Sequence, residues 1–384
     1  MGKIYHLFNG ETYFLTLWII KNIIKYSCKN HYFYIFLQSK KNINKYEILF
    51  KSLDFHDYSY IIQHKLSLKE KISLAKSKLL NFSLYMLKEK NNSSFYYLYM
   101  FLINYKHDNL ILHVELSMIG RYSLRLLSKM PIKYVWVCWG NLPPIYPKKI
   151  LKKQTFAYTI ELFINKVYQI ITLTEKDRYN IEKLFKIKKV EYIPYIADLF
   201  ESKKYDRKDK RILVGNSGHY INTYIPILEI LNKIKGIENV EITFMVPYGC
   251  GEEHLKEFKS KCKEFNLKIC FWEKIFSKDE YIKIMSNYSI YICGVERQSG
   301  LGAATTAFNL GLKVYLTGIN YDYFSTNDFI VHNVKEINGI KTIKSLFEYQ
   351  DNEIEWNQES LKKLFDIDAV SKKWDTMYDS LIKL

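Results

Sequence analysis

The chain has 384 residues, 48% hydrophobic and 25% charged, an ordinary globular composition that excludes disordered, collagenous and fibrous classes. At about 150 residues per domain, this length predicts two domains. The net charge is +17, and the excess lies entirely in the first half: residues 1–210 carry 36 Lys and Arg against 17 Asp and Glu (+19), residues 211–384 carry 21 against 23 (−2).

Short apolar runs alternate with longer amphipathic stretches, the pattern of helices layered on parallel sheets. Strands are predicted at 4–8, 32–37, 110–114, 134–138, 169–173 and 190–193, and helices at 11–26, 68–87, 117–129, 148–165 and 175–185. The charged stretch 203–210 (KKYDRKDK) reads as an interdomain linker. Beyond it, strands at 211–214, 240–246, 268–271, 289–293 and 313–316 each lead through a loop into a helical pattern, which describes a doubly wound sheet. The expected architecture is two Rossmann-like domains facing each other across a cleft. The first is a membrane-facing domain (1–200) and the second, after a linker (201–210), a ligand domain (211–357), with a C-terminal helix (358–384) packing back on the first.

The six cysteines are scattered without a CxxC pair or zinc spacing, which points to a reducing compartment. Residues 1–10 lack the basic start and apolar stretch of a signal peptide, and no run reaches ~18 uncharged apolar residues, so a cytosolic chain that spans no membrane is expected. A half-chain excess of +19 calls for an anionic partner. Phe14, Trp18, Lys21 and Lys25 on the first helix, with Lys40, Lys41, Lys148, Lys149, Lys152 and Lys153, resemble a face that meets an anionic membrane surface. No helix-turn-helix, RNP-type or zinc pattern supports nucleic acid.

Two loops of the second half carry the strongest chemistry. Gly215-Asn216-Ser217-Gly218 follows a strand and precedes a helix, so its backbone N–H groups could approach a phosphate; a tight capping turn is the structural alternative. It is neither GxGxxG nor GxxxxGK[ST]. Glu296-Arg297-Gln298-Ser299-Gly300-Leu301-Gly302 opens a helix with no acid in its first turn; Ser299 is a candidate cap, and Arg297 offers a donor fork for phosphate oxygens. Tyr248-Gly249 could wall a base or sugar. No metal or other cofactor is called for, and the only DxD string, Asp366-Ile367-Asp368, reads as solvated surface.

In the first half, alternation buries Trp136 and leaves Trp139 at a strand end, where Trp139 and Asn141 are candidate acceptor contacts. Candidate general bases are Glu11, just after the first strand, and His113 and Glu115, at the end of another.

These segments, ILVGNSG (212–218), VPYG (246–249), RQxGxG (297–302) and VxWG (137–140), resemble the 4-acetamido-4,6-dideoxygalactosyltransferase family, which transfers N-acetylfucosamine from a TDP-linked donor to a lipid-linked acceptor. The likeness runs from residue 4 to about residue 324. It implies an α/β GT-B glycosyltransferase with an N-terminal acceptor domain and a C-terminal domain binding a TDP- or UDP-linked sugar. It further implies an inverting, metal-independent transfer to an undecaprenyl-diphosphate-linked glycan, by a peripheral protein on the cytoplasmic face of the inner membrane. Glu11 stands where the family has an Asp after its first strand, whereas the family's WGADLY is WGNLPP here, with Leu142 in place of the Asp. The retaining pattern of two Glu eight positions apart is absent, because Ala304 follows Glu296 at that spacing. The readings from other classes are a non-catalytic membrane or nucleic-acid module and a sugar-nucleotide epimerase or oxidoreductase.

Overall fold

The computed structural model describes residues 3–9, 13–37, 43–62, 109–113, 121–130, 132–139, 156–185, 189–195, 199–200 and 210–382. It divides into two compact units, Met1–Asp198 with Ile367–Leu384, and Leu199–Asp366.

In the first unit, β1 (Ile4–Asn9), β2 (His31–Leu37), β3 (Tyr58–Ile62), β4 (Leu110–His113), β5 (Tyr134–Cys138), β6 (Gln169–Thr172) and β7 (Val190–Tyr192) form a sheet. Its order is β3-β2-β1-β4-β5-β6-β7, with every pairing parallel. Parallel strands are covered on both faces, which is why β4 and β5 are buried at every position. Alternation sorts their side chains: Tyr134, Trp136 and Cys138 point to one face with Leu110 and Leu112, while Val135 and Val137 point to the other with Ile4 and Ile111.

The helices here are α1 (Tyr13–Tyr26), α2 (Ile43–Ser52), α3 (Arg121–Leu127), α4 (Phe156–Lys166) and α5 (Glu175–Phe185). Leu124 and Leu127 of α3 and Phe163 of α4 cover the Trp136 face.

In the second unit, β8 (Arg211–Val214), β9 (Glu241–Met245), β10 (Lys268–Trp272), β11 (Ile290–Cys293), β12 (Lys313–Leu316) and β13 (His332–Asn333) pair in the order β10-β9-β8-β11-β12-β13, again all parallel. Around them lie α6 (Tyr224–Leu231), α7 (Glu252–Cys262), α8 (Lys278–Met285), α9 (Leu301–Asn309), α10 (Gly318–Ser325), α11 (Ile343–Phe347) and α12 (Asp351–Leu364).

The last helix, α13 (Ile367–Ile382), belongs to the first unit. Its buried residues Val370, Trp374, Met377, Tyr378 and Leu381 recur at helical spacing and cover the Val135 face of the first sheet. Five such side chains, at about 1.5–3 kcal/mol each, favour the docked helix by roughly 7–15 kcal/mol. The returning segment begins at Ile367, later than the expected 358, because α12 stays with the second unit. Asp366 and Asp368 lie exposed at that junction.

The strands expected from the sequence are present within a residue or two. The helix expected at 68–87 and most of the expected linker lie outside the described residues.

Candidate functional site

Each sheet has one point where its strand order reverses direction: between β1 and β4 in the first unit, and between β8 and β11 in the second. Ligands of open parallel sheets bind there, outside the carboxyl ends of the strands. The two glycine loops of the second half are the loops leaving β8 and β11.

The loop after β8 is built around a residue that no motif marks. Gly215 has φ +82°, and a Cβ there would lie 2.1 Å from the Tyr224 hydroxyl. That hydroxyl donates to the Ser217 carbonyl at 2.5 Å and accepts the N–H groups of Asn216 and Ser217 at 3.3 Å. The Gly215 N–H goes to the Ile292 carbonyl (2.8 Å) and that of Gly218 to the Tyr248 carbonyl (2.7 Å). All four backbone N–H groups of 215–218 are thus spent within the protein. Of the two readings open for this loop, the structure has the tight turn, which presents the Asn216 side chain. The chain then runs through a 3₁₀ segment, Gly218–Thr223, before α6 begins.

The loop after β11 is tied to this turn. Asn216 Nδ2 donates to Ser299 Oγ at 3.1 Å, the Ser299 N–H donates to Asn320 Oδ1 at 3.3 Å, and Asn320 Nδ2 returns a bond to the Ser299 carbonyl. Ser299 is therefore a tie between loops and not the cap expected of it. The N-cap of α9 is Gly300, at φ +70°, and no side chain caps the helix. A Cβ on Gly300 would sit 2.9 Å from Asn216 Cγ. The Glu296 carbonyl accepts the Ile319 N–H at 3.0 Å, which brings in the loop after β12. Loops from β8, β9, β11 and β12 form one rim at the carboxyl edge of the sheet.

The rim carries several groups that suit a ligand. Gln298 is buried, and among the described residues its Oε1, like Asn216 Oδ1, has no partner. A buried amide oxygen without a donor costs about 1–3 kcal/mol, a cost a ligand O–H or N–H would remove. Arg297 is exposed, stacked with its guanidinium carbon 5.0 Å from the Tyr220 ring centre, and no described carboxylate pairs with it. The first turn of α9 has no acid to satisfy its N–H groups, and Gly302 has open space where a Cβ would stand. Tyr248 is exposed, edge-on to His219 at 6.0 Å, across Gly249 at φ +85°. Glu296 is exposed beside Arg297. The rim therefore offers a cation and helix N–H donors for anionic oxygens, amide oxygens for hydroxyl or imide donors, and an aromatic side chain for a flat ring.

At the carboxyl edge of the first sheet, His113 closes β4 and is fully buried. Its Nδ1 lies 3.0 Å from the Tyr195 hydroxyl and its Nε2 3.0 Å from His6 Nδ1, while Phe8 stacks flat against it at 4.2 Å. Burial pushes the His113 pKa down to about 3. With both ring nitrogens engaged, His113 orients Tyr195 and offers no lone pair to a substrate. Trp139 is half-buried and donates its indole N–H to the Tyr195 hydroxyl at 2.7 Å. Glu11, Glu115 and Asn141 lie outside the described residues.

The face expected on α1 is only partly there. Trp18 is half-buried, edge-on to Tyr195 at 6.4 Å, and Ile19, Ile20 and Ile23 enter the core, which leaves Lys21 and Lys25 exposed. Among the described residues no His, Cys, Asp and Glu cluster could hold a metal ion, and no helix is long and apolar enough to cross a membrane.

Tyr224, Asn320 and Tyr195 were not legible as site residues, since nothing local marks a tyrosine or asparagine that serves another loop. His6 and His31 did carry a signal: a histidine inside an apolar parallel strand is buried and must find a partner.

No family model matches the chain, and no curated protein matches it. Solved structures do. S. aureus TarM, in complex with fondaparinux, α-GlcNAc-glycerol and UDP, aligns at TM-score 0.64 and 11% identity over 98% of this chain and 100% of that one. HepE from Anabaena, in complex with UDP and glucose, aligns at 0.64 and 10% over 99% and 100%. The pneumococcal O-GlcNAc transferase GtfA, in complex with UDP and GlcNAc, aligns at 0.60 and 10% over 99% of both chains. The likeness spans both units, and the fold is GT-B.

Proposed function

We propose that this protein is a glycosyltransferase that binds a nucleoside-diphosphate sugar at the rim of its second unit and passes the sugar, with inversion, to a lipid-linked glycan. The observation that carries the reading is the set of groups around Arg297, with the orphaned oxygens of Asn216 and Gln298 among them. Arg297 and the uncapped start of α9 suit a diphosphate, the orphaned oxygens of Asn216 and Gln298 suit hydroxyl or imide donors, and Tyr248 suits a base. A nucleoside-diphosphate sugar carries all three kinds of group in one molecule. The UDP found with HepE, TarM and GtfA supports the same class of donor.

In the transfer, the acceptor hydroxyl oxygen attacks the anomeric carbon as the bond to the diphosphate oxygen breaks. The hydroxyl proton passes to a carboxylate, assigned to Glu11, two positions beyond β1. The nucleoside diphosphate leaves with its charge held by Arg297 and the α9 N-terminus, so that no divalent cation is required. A TDP- or UDP-linked deoxyamino sugar of the N-acetylfucosamine type and an undecaprenyl-diphosphate-linked acceptor are the substrates that the sequence likeness favours. The +19 first half would hold the protein to the anionic cytoplasmic face of the inner membrane.

The test is a panel of UDP- and TDP-sugars incubated with the protein, scored for nucleoside diphosphate release, together with mass spectrometry of lipid-linked oligosaccharides from a deletion strain. Release from one donor and loss of one sugar from the lipid-linked pool are expected. No release from any donor and an unchanged pool would reject the reading. Flotation with anionic vesicles at low and high salt reads the membrane part, and binding insensitive to salt would remove it.

A further inference from the structure

A chain of hydrogen bonds runs through the first unit along the face covered by α13. The Trp139 indole N–H meets the Tyr195 hydroxyl at 2.7 Å, which is 3.0 Å from His113 Nδ1. His113 Nε2 is 3.0 Å from His6 Nδ1, and His6 Nε2 is 2.9 Å from His31 Nδ1. His31 Nε2 is 2.8 Å from Ser27 Oγ, which donates to Asp375 Oδ1 on α13 at 2.8 Å. By register His113 pairs with Phe8 and His31 with Ile4, so the chain leads from the carboxyl edge of the sheet, where ligands bind, to its amino edge.

The two ends fix its direction. An indole N–H only donates and a carboxylate only accepts. Tyr195 must therefore donate to His113, and each histidine must accept at Nδ1 and donate from Nε2, down to Ser27 and Asp375. We propose that Asp375 is a positioning residue that acts through this chain on Tyr195. While Asp375 is a carboxylate, the Tyr195 proton is spent inward on His113. Without the carboxylate no group obliges Ser27 to donate away from His31, so each ring could take either tautomer and the Tyr195 hydroxyl would no longer be held toward His113.

The surroundings fit a chain that transmits polarity and not charge. Burial holds the His6 pKa well below its ordinary value and pushes His31 down to about 4 and His113 to about 3, so the rings stay neutral. The other titratable groups facing the Asp375 end are the Cys28 thiol (3.2 Å from Asp375 Oδ2), Lys29, which is paired with Asp379 at 2.7 Å, and Tyr378, edge-on to His31 at 5.1 Å. The role of Tyr195 toward acceptor rests on the function proposed above; the chain's polarity does not.

The decisive experiment is nitrogen-15 NMR of the histidine rings in the full-length protein at pH 8. The expected spectrum shows His6, His31 and His113 all as the neutral Nε2–H tautomer. Asp375→Asn, which removes the obligate acceptor, gives mixed tautomers at pH 8, and Ser27→Ala does the same without altering charge should the first variant fail to fold. Mixed tautomers or an imidazolium ring in the wild type at pH 8 would overturn the proposal whatever the variants do. In the transfer reaction, Asp375→Asn is expected to change acceptor KM about tenfold while leaving kcat and donor affinity near wild type. Absence of any transfer activity alongside the expected tautomers would reject the proposed function and leave the chain's polarity standing.

Discussion

Tyr224→Phe removes one hydroxyl and strands three backbone groups. The Ser217 carbonyl loses a 2.5 Å donor, and the N–H groups of Asn216 and Ser217 lose their acceptor at 3.3 Å. An unsatisfied buried group costs about 1–3 kcal/mol; the short bond belongs at the upper end and the two long ones at the lower, so the loss is about 3–4 kcal/mol in all. The ring stays packed on Phe244 and Phe258, so no cavity adds to this figure. A loss of that size lowers the unfolding temperature of a unit this large by on the order of 10 °C. Urea unfolding followed by tryptophan fluorescence reads the free energy, with Tyr220→Phe as the control, since no described group bonds its hydroxyl. Because the turn aims Asn216, nucleotide affinity is expected to fall about tenfold as well. A loss under about 1 kcal/mol, or equal losses in both variants, would show that Tyr224 does not anchor the turn.

Gly300→Ala places a Cβ 2.9 Å from Asn216 Cγ at φ +70°; stability should fall by about 1–2 kcal/mol in the same urea experiment, with weaker nucleotide binding, and an unchanged midpoint would contradict the tight rim. Glu11→Gln keeps size and hydrogen bonding but loses the base, so turnover should drop at least ~100-fold with nucleotide affinity intact; turnover within threefold of wild type would clear Glu11. Stability should also fall on acidification. His6, His31 and His113 have depressed folded-state pKa values, so below the unfolded value of about 6.5 the unfolded chain takes up protons that the folded chain does not, and stability declines as pH falls toward 4. Each histidine contributes roughly 1.4 kcal/mol between pH 7.5 and 5.5, about 4 kcal/mol together, and a urea midpoint that holds or rises over that interval would refute the burial of neutral rings.

The strands of both sheets were legible because parallel strands buried on two faces must be apolar throughout, and runs such as Arg211–Val214 and Tyr134–Cys138 leave no other reading. β3, β13 and α2 were not: Tyr58–Ile62 lies at the sheet edge with Ser59 between tyrosines, two residues, His332 and Asn333, carry no periodicity, and Ile43–Ser52 buries only Tyr46 and Phe50. The glycine loops could be placed at strand ends, yet which of their groups face a ligand could not. That depended on where four N–H groups went, and Tyr224 and Asn320, which decide it, come from helices some residues away in sequence. Trp139 was legible as a strand-end aromatic; its partner Tyr195 was not, because the pairing joins residues 56 positions apart. The run of histidines needed the third dimension altogether, since only the β1-β2 and β1-β4 pairings bring His31, His6 and His113 into line.

The central claim is that the rim around Arg297 holds a nucleoside diphosphate, and calorimetric titration of the intact protein with UDP and TDP tests it most directly. One site per chain is expected for at least one of the two, without added metal. Arg297→Ala should weaken it about 10- to 100-fold while leaving the unfolding midpoint unchanged, as a lost charge-assisted contact of about 1.5–3 kcal/mol requires. Binding of neither nucleotide, or equal affinity in wild type and Arg297→Ala, would contradict the account.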